Sequence, residues 1–173
     1  QMLEEWAFQR EVLDAFARHH VTGAPIPDPL FAAMRRARAF GRALATERQL
    51  ALATLDFEYH TRPLPVDTDA VFRDVMATTQ QFTHQPGTRF QATFGHLMGY
   101  DAGYYGYQWA LAIARDVLTR FEREGFTSEA TAANWLDQVL SRGAGADEAS
   151  LITAFLGRPT NLDASAAYLR GAD

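Results

Sequence analysis

From Gly103 onward, large side chains with apolar bodies recur at every fourth position: Tyr105, Trp109, Ile113, Val117 and Phe121. A spacing of four stays on one face of a helix, so the stretch reads as a long helix with a single apolar stripe, Tyr105 and Trp109 included in its core face. Gly125 follows and suits a left-handed helix cap. No valine- or isoleucine-rich alternating run, the mark of a half-buried strand, occurs in the chain. The expectation is an all-α fold.

Helix signals elsewhere bring the expected total to about seven. Leu3, Trp6, Leu13 and Phe16 mark an amphipathic helix running to about His19. Ala24-Pro25-Ile26-Pro27 is a stiff connector, and Asp28-Pro29 starts a helix reaching about Leu44. Thr46 with Gln49 has the form of a capping box opening a helix to Tyr59 or His60, which Pro63 and Pro65 close. Val71, Phe72, Val75 and Met76 face the core from a helix over Ala70 to Phe82. Further helices run from Ser128 to Gly143, Asp147 to Leu156 and Asp163 to Arg170.

Composition removes several function classes. At 173 residues the chain suits one compact domain or one lobe of a larger one, able to bury roughly two-thirds of its unfolded surface. A net charge of −5 argues against a nucleic-acid partner, because phosphate contacts need a basic face. With no cysteine, disulfides, thiolate metal sites and cysteine nucleophiles are excluded, and the cytoplasm is the expected compartment. No run approaches the roughly 18 apolar residues of a membrane span, and the start lacks a basic-then-apolar export signal. Neither a membrane nor a nucleic acid is an expected partner. The first segment reads as the inside of a helix, so the numbered chain is expected to begin within a longer protein.

The most unusual stretch is Phe94 to Trp109, with four tyrosines, a histidine and four glycines in the run FGHLMGYDAGYYGYQW. Glycines admit positive φ or close approach of the backbone to a ligand, while Tyr and His present polar tips that donate hydrogen bonds to an anion. Such donors, preorganised away from water, stabilise a tetrahedral oxyanion by roughly 3 kcal/mol each. Acyl transfer or peptide hydrolysis is the chemistry suggested. The plainer reading makes Tyr100, Tyr107 and His96 ordinary boundary residues with their polar tips in water. Other polar groups have plain readings too. His19-His20 suit a carbonyl-rich helix end, and Glu58-Tyr59-His60 lacks di-iron spacing. Arg35, Arg36, Arg38 and Arg42 form a solvated helix face, open to pairing with acidic neighbours, and no G-x-S-x-G elbow supports a serine hydrolase.

The run GYDAGYYGYQW closely resembles the substrate loop and following helix of the thimet oligopeptidase family of zinc peptidases, which reads approximately G-G-Y-D-A-x-Y-Y-G-Y-x-W after F-x-H. Gln1-Met2-Leu3-Glu4-Glu5-Trp6, Thr22-Gly23-Ala24-Pro25-Ile26-Pro27 and Phe155-Leu156-Gly157-Arg158 resemble further family segments, so the likeness covers essentially the whole chain. It implies the C-terminal portion of a helical, zincin-like catalytic domain that hydrolyses short peptides. By resemblance Tyr107 donates to the oxyanion, with Tyr100 and His96 assisting. Gly99, Asp101, Gly103, Tyr104 and Gly106 would bind or shape substrate. One departure is that many members have an extra residue, usually glycine, between the histidine and the first tyrosine.

The family's zinc is held by H-E-x-x-H and a downstream Glu. Neither is here: histidines stand at 19, 20, 60, 84 and 96, none spaced as that motif requires. The resemblance therefore implies zinc in the intact parent and none bound by this chain, all 173 residues being one segment just past the metal-binding residues. The missing zinc-bearing part is then an expected partner, beside the peptide substrate, and the chain alone is expected to be inactive. A stand-alone, non-catalytic peptide-binding module and a half-enzyme reconstituted by a separate zinc-bearing chain remain alternatives at this point.

Overall fold

A computed structural model describes residues 1–171. Among them are eight α-helices: α1 (Arg10–Phe16), α2 (Asp28–Ala39), α3 (Arg42–Thr61), α4 (Thr68–Thr79), α5 (Gly106–Glu124), α6 (Glu129–Trp135), α7 (Glu148–Leu156) and α8 (Asp163–Leu169). Short 3₁₀ turns at Met2–Phe8, Phe90–Thr93, Gly95–Leu97 and Gly143–Gly145 and a π-helical turn at Leu136–Leu140 add to them. No strand occurs among the described residues, in keeping with the all-α expectation, and none of their helices is long and apolar enough to cross a membrane. Two compact units are formed, one from Gln1–Phe40 with the chain from Ala110 onward, the other from Gly41–Trp109.

The first unit departs from the sequence reading at once. The single helix expected from Leu3 to His19 is broken at Gln9 (φ −97°, ψ 131°) into a 3₁₀ turn and α1. A 3₁₀ turn eclipses side chains three apart, so Met2 and Glu5 are both buried while Leu3 stays exposed; Phe16, at the end of α1, is exposed as well. Trp6 anchors the turn, its Nε1 donating to the Phe126 carbonyl at 2.8 Å. The core gathers Met2, Ala114, Val117, Leu118, Phe121 and Phe155, with Trp135, Val139 and Ile152 packed against it. Burying a side chain such as Phe121 contributes about 2 to 3 kcal/mol.

Tyr105 and Trp109, expected in the core, are 60% and 61% exposed. Tyr105 precedes α5, which begins at Gly106, and Trp109 lies in its first turn, ahead of the buried stripe through Ala114, Val117, Leu118 and Phe121. Arg38, on the face read as solvated and open to acidic neighbours, takes one of them and is drawn inward. It forms a bidentate pair with buried Glu5, at 2.8 and 2.5 Å, and stacks 3.7 Å from the centre of the Phe8 ring, while Arg115 adds a third bond to Glu5 at 2.8 Å. Ser128 and Asp147 cap α6 and α7 through the N–H groups of Thr131 and Ser150.

The second unit is built on α3 and α4. The helix expected to reach Leu44 ends at Ala39, because Gly41 takes a left-handed conformation (φ 73°) that glycine adopts without steric cost, and α3 begins directly after it. Thr46 is consequently inside α3, its hydroxyl donating to the Arg42 carbonyl at 3.0 Å, and does not cap it. Asp67 starts α4 by accepting from Ala70 N–H at 2.9 Å, and α4 ends at Thr79, short of Phe82. Val71, Phe72, Val75 and Met76 face inward as their spacing requires, against Ala51, Leu52, Leu55, Phe94 and Tyr104.

Candidate functional site

The glycine- and tyrosine-rich stretch lies in the second unit, on the two 3₁₀ turns from Phe90 to Leu97 and the loop entering α5. Phe94, between the turns, is buried, and its ring lies 5.4 Å from that of His96 and 5.2 Å from that of Tyr104. The His96 ring is also 4.9 Å from Tyr104, 5.7 Å from Tyr107 and 6.1 Å from Tyr100. Aromatic edges thus hold the imidazole with its Nε2 3.1 Å from the Tyr107 hydroxyl. The Tyr100 and Tyr107 rings are 5.9 Å apart and remain 45% and 39% exposed, open to a ligand.

The loop's small residues explain how Tyr100 reaches this position. Gly99 turns the chain at φ 94°, and Ala102 takes φ 55°, uncommon for a residue with a Cβ. A Cβ on Gly103 would stand 3.1 Å from the Tyr100 carbonyl oxygen and 3.2 Å from its ring, and one on Gly106 would stand 3.4 Å from its hydroxyl. Tyr100 therefore lies over bare backbone at both glycines. Asp101 steadies the turn by accepting from Gly99 N–H at 3.1 Å.

His96, Gly99, Tyr100, Tyr104 and Tyr107 border one open cleft of about 660 Å³, with Leu52, Phe90 and Phe94 giving it an apolar wall. Asp101, Gly103 and Gly106 are not part of that lining and act on the shape of the loop. Tyr104 differs from its neighbours: it is buried, and its hydroxyl donates to Gln49 Oε1 of α3 at 3.0 Å. Burial, and then the neighbouring Tyr107, pushes its phenol above the ordinary tyrosine value. What Tyr104 offers the cleft is its ring. The Tyr107 hydroxyl meets His96 in one of two ways. If His96 Nε2 carries a hydrogen it donates to the Tyr107 oxygen; if it is bare it accepts the hydroxyl hydrogen.

Three residues bearing on this site were missed or passed over in the sequence: Gln49, Asp56 and His60. Asp56 is 1% exposed, accepting from Ala102 N–H at 3.1 Å and Tyr104 N–H at 2.9 Å. Its position was a legible signal, since it follows Leu55 and stands four residues after Leu52, a carboxylate on the apolar face of α3. Zinc does not fit the side chains present: among the described residues no three His, Asp or Glu groups are gathered as ligands. His19 and His20 stack on each other, and His84 packs edge-on against Phe72.

Comparison with known proteins bears on the same residues. The family model described as peptidase family M3 matches residues 1–170. Oligopeptidase A of Salmonella typhimurium is 34% identical over 169 residues, covering 95% of this chain and 25% of that protein. Oligopeptidase A of Escherichia coli is 35% identical over 170 residues with the same coverage. A probable cytosolic oligopeptidase A of Arabidopsis thaliana is 30% identical over 167 residues, covering 91% of this chain and 24% of that protein. The chain spans about a quarter of the length of these relatives.

Proposed function

The chain belongs to peptidase family M3, and we propose that it is the substrate-facing part of a peptidase that hydrolyses short peptides. The observation that carries this reading is the 3.1 Å contact between His96 Nε2 and the Tyr107 hydroxyl at the edge of an open aromatic cleft. A peptide carbonyl attacked by water develops negative charge on its oxygen, and a donor held in place beforehand lowers the barrier to that step. Tyr107 is the donor. His96, donating from Nε2 to the Tyr107 oxygen, fixes the hydroxyl's direction. Tyr100 supplies a second hydroxyl from its seat over Gly103 and Gly106. Gly99, Asp101 and Tyr104 shape the cleft around the substrate backbone. The metal and the general base belong to residues outside this chain, so the chain by itself is inactive. The cytoplasm remains the proposed compartment, a reading supported by the name of the Arabidopsis relative.

In the full-length protein, Tyr107→Phe is expected to lower kcat on a short peptide by about two to three orders of magnitude with little change in KM. An unchanged kcat rejects the role.

A further inference from the structure

Beneath the tyrosine loop, α3 presents a carboxylate and an imidazole that the peptide-hydrolysis reading leaves unused. Asp56 spans Gly103 from below, its two oxygens accepting the N–H groups of Ala102 and Tyr104. One turn further along α3, His60 Nδ1 lies 2.8 Å from the Asp56 carbonyl oxygen, which can only accept, so Nδ1 carries a hydrogen. The same nitrogen is 3.1 Å from Asp56 Oδ1. On the other edge of the ring, Nε2 is 3.6 Å from Asp101 Oδ1, the oxygen that also accepts from Gly99 N–H. The charged groups facing His60 are therefore Asp56 of its own helix and Asp101 of the loop.

With Nδ1 committed, a neutral His60 turns a bare lone pair toward the Asp101 carboxylate, two acceptors that repel. A second proton, on Nε2, makes the ring a cation and a donor between two carboxylates. We propose that Asp56 and His60 are positioning residues for the tyrosine loop: Asp56 holds its backbone at Ala102 and Tyr104, and protonation of His60 closes a second link onto Asp101. Because Tyr100 precedes Asp101 and rests on Gly103, this clasp sets where the Tyr100 hydroxyl stands. The consequence for substrate rests on the peptidase reading above; the clasp itself does not.

Hydrogen exchange of the full-length protein, followed by mass spectrometry in the segment 99–105 and corrected for the intrinsic chemical rate, tests it. The segment is expected to be severalfold better protected at about pH 5.5 than at about pH 8. His60→Gln removes that difference, since glutamine does not titrate. Asp56→Asn, which turns an amide donor toward a backbone donor, speeds exchange roughly ten- to hundredfold at both pH values. Equal protection in Asp56→Asn and wild type, or a pH difference that survives His60→Gln, overturns the proposal. Should Asp56→Asn fail to fold, His60→Gln decides alone. Peptide hydrolysis separates the two readings. Exchange behaving as described in a protein that cleaves no peptide leaves the clasp standing and removes the peptidase reading. A Tyr107→Phe defect with exchange insensitive to His60→Gln does the reverse.

Discussion

Gly103 has no side chain because Tyr100 occupies the space where one would go. Gly103→Ala puts a methyl group 3.1 Å from a backbone oxygen and 3.2 Å from the tyrosine ring, so the loop must give way by a few tenths of an ångström. The expected cost is about 1 to 3 kcal/mol, read from thermal unfolding, with KM for a peptide raised because Tyr100 is displaced. Gly99→Ala is strained for another reason, its φ of 94°, although nothing stands within 4 Å of the added carbon. Three side chains singled out in the sequence, His96, Tyr100 and Tyr107, border one opening, whereas Asp101, Gly103 and Gly106 stand outside its lining. Their support was not legible there. Tyr104 has the same composition signal as its neighbours, yet its hydroxyl turns inward to Gln49, 55 residues away.

Helix ends show how local rules succeed and fail. Asp67, Ser128 and Asp147 each precede a helix and cap it, as short polar side chains do by reaching the N–H three residues on. Thr46 has an equally good pattern but lies within α3, because Gly41 is the residue able to take the left-handed turn that precedes it. The two readings differ in outcome. Gly41→Ala is expected to cost about 1 kcal/mol through its positive φ alone, the space around it being open, whereas Thr46→Ala should stay within about 0.5 kcal/mol. Denaturant midpoints measure both, and a loss of about 1 kcal/mol for Thr46→Ala would mark it as the cap after all. The fourfold stripe of α5 was read correctly as a helix and misread at its start: Tyr105 stands ahead of the helix, and Trp109, in its first turn, precedes the part of it that is buried.

For the molecule as a whole, pH dependence follows from groups whose partners lie far along the chain. Burial alone would raise the Asp116 carboxyl, but two bonds from Arg158, at 2.9 and 2.6 Å, and one from Asn161 N–H hold it below the ordinary aspartate range. Glu124, bonded by Arg123, Thr131 and Arg120, is held down to about 2. A carboxylate with a depressed folded value stabilises the fold above its unfolded value and loses that contribution as pH falls. Unfolding midpoints should therefore drop from about pH 4 toward pH 2, and Asp116→Asn should flatten that limb while lowering stability at neutral pH. Tyr59 acts at the other extreme. Burial, and then Asp69, pushes its phenol up to about 12, so its contribution is complete below the ordinary tyrosine value and is lost as pH rises through about 12. In an alkaline absorbance titration of the six tyrosines, Tyr59→Phe should remove an ionisation at about pH 12. The sequence by itself determined the all-α class, the starts of α2, α6, α7 and α8, and the family through a run of motif residues, because periodicity, caps and motifs are written within a few neighbouring positions. Only the tertiary structure decided what the buried carboxylates hold. Asp56 meets the loop 46 and 48 residues away, and Asp116 meets Arg158 42 residues away, separations at which no local pattern names the partner.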